Sequence, residues 1–316
     1  MNNTKLNLRN RFVRPLHPLS ICLKLSVIIL VVLLIDATPS QPTWAIVLGL
    51  FAALFLVPIA YQQIRKYQSV FRMDADGLIW HLPCALLLAF SFLVERGSLA
   101  GIFALPYTVW CVETLLRGLR LDGKMVYIVT LAAFLFLLIG SSWLLFDRYG
   151  IRPLDFQIWT VILTGVHFHF AGFTLLASVM LFLFQNPLDT KVKMINIAII
   201  IGVFLTAIGI TVKQLGYSDI YETLAAVWMS LSAFSAAVIF IKNSLVEQMG
   251  VKILWLLAGI CLIFSMLFAF LYPFRTVFTL DILTLAFMQT MHGTLNALGF
   301  GTLVLLGWTL KKEPIV

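Results

Sequence analysis

Apolar residues in this chain come in long runs broken by short polar stretches. A helix needs about 20 mostly apolar residues to cross a hydrocarbon core about 30 Å thick. On that scale the pattern predicts ten spans, near residues 19–35, 43–61, 78–94, 99–116, 127–146, 154–184, 194–212, 220–241, 252–272 and 282–309. The fourth is the weakest, because it holds Pro106 and Glu113; the sixth and tenth are long enough to tilt. No linker, low-complexity tract or soluble domain interrupts the series. The expected fold class is all-α, a polytopic transmembrane helix bundle of about ten helices, with residues 1–316 forming a single integral membrane domain.

Composition agrees. The chain is 61% hydrophobic and 11% charged, whereas a soluble domain carries about 25% charged residues. The partner implied is the lipid bilayer. The net charge of +8 comes from short loop clusters rather than a basic domain, which argues against nucleic acid. Those clusters report topology instead. With the N-terminus inside, inner segments hold 16 Lys and Arg and outer segments hold 5: Arg96, Arg148, Arg152, Lys213 and Arg275. That bias is the positive-inside pattern, so both termini are expected in the cytoplasm. Basic Lys5, Arg9, Arg11 and Arg14 precede the first run, but no small-x-small cleavage site follows cleanly, so a retained first helix is expected. The four cysteines lie in apolar segments without a C-x-x-C pair and read as packing residues.

Polar groups at membrane depth are costly, and they mark candidate sites. In the sixth run, Gly165-Val-His167-Phe-His169-Phe-Ala-Gly172-Phe173 places imidazoles near the midplane. Positions i and i+2 lie about 200° apart on a regular helix. One of His167 and His169 therefore faces a cavity and the other a neighbouring helix, unless the helix is distorted. In the tenth run, Gln289, His292, Asn296 and Gly299 share one helical face. Both helices enter from the same side, which puts their histidines at similar depth. A short echo links His169-Phe-Ala-Gly172-Phe173 to Asn296-Ala-Leu-Gly299-Phe300. Glu113, near Trp110, is within ion-pair reach of Arg117; Glu222 sits at the outer end of the eighth run; His17 and His81 read as interfacial on the cytoplasmic side.

The runs His167-Phe-His169-Phe-Ala-Gly172-Phe173 and His292-Gly293-x-x-Asn296-Ala-x-Gly299-Phe300 resemble those of the YndJ-like family of bacterial membrane proteins. The resemblance implies a bacterial plasma (cytoplasmic) membrane protein and a transporter label, and longer members of the family carry additional sequence.

The residues favour a membrane-embedded enzyme that acts on a hydrophobic, lipid-soluble small molecule. Its catalytic candidates are His167, His169, His292, Asn296 and Glu222, and its substrate-binding candidates are Gln289, Glu113 and Trp110. A neutral imidazole in a dry site is a competent acid or base near neutral pH. A metal or haem held by His167, His169 and His292 is compatible with this reading but not required. The five histidines are too few for a membrane di-iron hydroxylase, and G-x-S-x-G and H-E-x-x-H are absent. A proton-coupled or small-molecule transporter is the alternative, and a membrane-complex assembly partner is the third reading.

Overall fold

A computed structural model of the protein describes residues 16–34, 43–67, 76–119, 125–275 and 278–311. Lys5, Arg9, Arg11, Arg14, Arg72, Arg120, Lys124 and Lys312, all counted in the topology reading, lie outside these residues.

The described residues form ten helices and no strand. They are α1 (Pro18–Leu34), α2 (43–67), α3 (Asp76–Ser91), α4 (Ser98–Gly118), α5 (Met125–Tyr149), α6 (Ile158–Gln185), α7 (Thr190–Gln214), α8 (Ile220–Ser244), α9 (Met249–Leu271) and α10 (Leu285–Leu310). Eight are long and apolar enough to cross a membrane, and α1 and α3 are shorter apolar helices. Each falls on one of the ten predicted runs. The weakest prediction gives an unbroken 21-residue helix through Pro106. Pro106 removes one backbone donor, but leaving the helix in an apolar medium would strand several more groups.

Three of the helices contain a π segment, where the turn widens: Ala52–Leu56 in α2, Phe168–Leu175 in α6 and Leu295–Gly301 in α10. The first has a clear cause. Pro58 has no N–H, and its ring would press on the carbonyl four residues earlier. The helix widens instead, and Val57 N–H donates to the Ala52 carbonyl. The other two segments coincide with the echoed motifs that end in Gly172-Phe173 and Gly299-Phe300.

The chain packs as two compact units, Met1–Gly123 with Ala133–His169, and Lys124–Ala132 with Phe170–Val316. In the first unit α2 is mostly buried, and α5 crosses α6 at Gly140 and Gly165. A Cβ on Gly165 would meet Leu144 Cδ2 at 2.8 Å and the Gly140 carbonyl at 3.1 Å. Small residues are what allow such close approach in a membrane. In the second unit Phe182, Phe240, Trp255 and Trp308 interlock, with ring centroids 4.8–5.7 Å apart.

One set of boundary charges is not where the loop reading placed it. Arg148 was expected in an outer loop, yet it is 1% exposed and ends α5 inside the first unit. Its Nε donates to Asp147 at 2.9 Å and its Nη1 to the Ser91 carbonyl at 3.1 Å, and its guanidinium lies 4.3 Å from the Phe92 ring centroid. Arg96 also bonds Asp147, at 3.1 Å. A charge this deep persists because a carboxylate, a carbonyl and an aromatic face all receive it.

Candidate functional site

His169 is fully buried in the first unit, at the start of the π segment of α6. Its Nδ1 lies 2.7 Å from the Gly165 carbonyl. A carbonyl only accepts, so Nδ1 carries the proton and Nε2 is left as an acceptor. Tyr107 of α4, also fully buried, donates its hydroxyl to that Nε2 at 3.1 Å. The two rings are stacked, 5.9 Å apart and 14° from coplanar. Gly140 makes room for them: a Cβ there would come 2.7 Å from His169 Nδ1.

The next groups extend this pair. Trp110, one turn beyond Tyr107, stacks on it at 6.2 Å. His81 of α3 meets the Trp110 ring edge-on at 4.6 Å and the Tyr107 ring at 6.1 Å. Tyr61 of α2 closes on Trp110 at 5.8 Å. His81 hydrogen-bonds the Ala53 carbonyl. That carbonyl belongs to the widened turn of α2, where an i→i+5 partner would be Pro58, which has no N–H. The π segment thus presents a backbone acceptor, and an imidazole from another helix takes it. The other ring nitrogen of His81, Nε2, is buried with no hydrogen-bond partner. Leaving a buried polar group unpaired costs about 1–3 kcal/mol. Lys24 of α1, 2% exposed and over the Phe55 ring, is a charged neighbour of His81.

Five helices of the first unit therefore converge on one polar cluster: Lys24, the Ala53 carbonyl, His81, Tyr107 with Trp110, and His169. Sequence reasoning selected His169 and Trp110 from it. It set His81 aside as interfacial, and the structure corrects this: His81 is 1% exposed and surrounded by aromatic rings. Lys24 and Tyr107 were missed. The available signal was a lysine and a histidine inside apolar runs, which lipid alone would not tolerate.

The remaining candidates fall elsewhere. His167 is half-buried, two residues from fully buried His169. His292 lies in the second unit, three residues before the π segment of α10 begins. Its Nδ1 bonds the Ser265 carbonyl of α9 at 3.1 Å. Ser265 Oγ donates back to the His292 carbonyl at 3.1 Å, and Asn296 Nδ2 to His292 Nε2 at 3.2 Å. This is a closed set of bonds that ties α9 to α10. Gln289 is half-buried one turn earlier. Glu113 is exposed and bonds Arg117 at 2.6 Å, the ordinary i,i+4 pair. Glu222 bonds Lys213 at 2.5 Å at the ends of α8 and α7. Among the described residues, no three His, Cys, Asp or Glu side chains are grouped to hold a metal ion. Both ring nitrogens of His169 already have protein partners.

Comparison with known proteins places the chain. The profile of the family described as YndJ-like protein matches residues 47–300. The chain belongs to the YndJ-like family. It is 26% identical over 280 residues to the uncharacterized membrane protein YndJ of Bacillus subtilis (strain 168), an alignment that covers 84% of this chain and 48% of that protein. The YndJ-like chain thus spans about half the length of that relative. No solved structure matches it. The matched span runs from α2 to the π segment of α10 and includes His81, Tyr107, His169, His292 and Asn296. A multi-pass helical membrane protein related to a bacterial membrane protein is therefore what the chain is.

Proposed function

We propose that this protein is a membrane transport protein that moves protons, and that Tyr107, His169 and His81 form its proton-carrying element. One observation carries the reading. A buried Tyr107–His169 hydrogen bond with a fixed tautomer lies in the same aromatic cluster as an imidazole nitrogen with no partner. Such a pair passes a proton without admitting any substrate: Tyr107 gives its O–H proton to Nε2 as it takes one from an entering hydronium, and the imidazolium so formed loses its Nδ1 proton to an entering water, so that no charge is left on the phenol. His81 Nε2 is an open acceptor beside it. Widened π turns are frequent at working sites, and a buried polar group without a partner is one mark of a functional role.

The membrane-embedded enzyme is the second reading, and one observation favours it. A histidine whose Nδ1 is anchored to a carbonyl and whose Nε2 faces a phenol is arranged as a general base. It requires a substrate atom within about 3 Å of His169 Nε2, where Tyr107 now sits. Orientation with both ends in the cytoplasm of a bacterial plasma membrane is part of the proposal and rests on the distribution of Lys and Arg.

Proteoliposomes with an internal pH-reporting dye test it. Under an imposed potential, wild-type protein should acidify or alkalinise the lumen faster than empty vesicles. Tyr107→Phe and His169→Gln should return the rate to that of empty vesicles while the protein still inserts and elutes as wild type. Wild-type flux that survives both substitutions would refute the assignment. Turnover of a co-purified lipid-like ligand, without flux, would favour the enzyme.

A further inference from the structure

A groove of about 340 Å³ opens on the second unit between one end of α7 and the facing end of α8. Its lining is apolar at Val192, Ile195 and Val238 and basic at Lys191 and Lys242. Ser235 and Asn243 add hydroxyl and amide groups to that lining. The one acid there, Asp189, is already used: its carboxylate caps α7, accepting from Lys191 N–H at 2.9 Å and Val192 N–H at 3.1 Å.

Three features specify the occupant. Among the described residues neither Lys191 nor Lys242 is in an ion pair, whereas Lys213 and Lys311 are each held by a glutamate. Apolar side chains that line the groove are accessible: Val238 is exposed, and Ile195 and Ile239 are half-buried. A soluble anion would gain nothing from them, and an acyl chain would. The positive-inside reading also puts this end at the cytoplasmic face, whose leaflet carries the anionic lipids. We infer that this groove binds an anionic glycerophospholipid, with the phosphodiester between Lys191 and Lys242 and the glycerol and first methylenes against the apolar walls. Neutral phosphatidylcholine would lack the net charge that the two lysines receive.

The test uses the whole protein in mild detergent, titrated with phosphatidylglycerol or phosphatidylcholine and followed by native mass spectrometry and thermal unfolding. Phosphatidylglycerol should bind and raise the unfolding temperature, and phosphatidylcholine should not. Each lysine near a membrane surface strengthens anion binding by about five-fold, so Lys191→Gln with Lys242→Gln should weaken it about thirty-fold. The charge-conserving Lys→Arg pair should retain binding, and so should Lys252→Gln, which lies outside the groove. Equal binding of the two lipids, or phosphatidylglycerol binding that survives the double Gln variant, would overturn the inference. An equal shift with glycerol phosphate, which has no acyl chain, would overturn the lipid assignment.

Discussion

Gly140→Ala probes the candidate site without touching a polar group. The new methyl carbon would stand 2.7 Å from His169 Nδ1 and 3.1 Å from the Gly165 carbonyl oxygen. Ordinary contact begins near 3.5 Å, so the ring must give way by about 0.8 Å. His169 is fully buried and stacked on Tyr107, so it cannot swing out into solvent. Moving away from the methyl stretches its 2.7 Å bond to Gly165 beyond hydrogen-bond range. Overpacking costs about 1–3 kcal/mol and the lost bond about 0.5–1.5 kcal/mol, together about 2–4 kcal/mol. Unfolding in mixed micelles, followed by tryptophan fluorescence, measures this. The decisive form is a cycle with His169→Ala. Removing the ring removes the closest clash, so Gly140→Ala should cost at least about 1 kcal/mol less in that background, with a residue left from the Gly165 carbonyl. A cost unchanged to within about 0.5 kcal/mol would show that Gly140 and His169 do not touch, and the site as described would be wrong.

Other expectations follow from separate contacts. Asp147→Asn leaves Arg96 and Arg148 facing each other without their shared carboxylate, and should destabilise by about 3–5 kcal/mol in the same unfolding assay. His292→Ala should cost about 1–3 kcal/mol by stranding Ser265 and Asn296, and Ser265→Ala should be strongly non-additive with it. Elemental mass spectrometry should find any metal that co-purifies retained in His169→Gln, because both nitrogens of that ring have protein partners.

The hydropathy pattern alone determined the fold class and, among the described residues, the number of helices and their approximate bounds. It could do so because partition between water and lipid is a property of one segment at a time. It also marked the few residues worth attention, since any polar group in such a run is costly wherever it points; that is how His169, Trp110, His292 and Asn296 were found. Which of them meet is a property of pairs. Tyr107 and His169 are 62 positions apart, and no periodicity links them. His81 was misread because its place near the start of α3 suggested an interface, while burial depends on what the other helices bring around it. The Pro58 turn shows the same division. The sequence announces a proline that cannot donate, but only the folded unit shows that the freed Ala53 carbonyl is taken by an imidazole from another helix. Hydrophobic patterning is local and additive, whereas a site in a membrane is made of partners that satisfy one another across helices, and only tertiary packing chooses them.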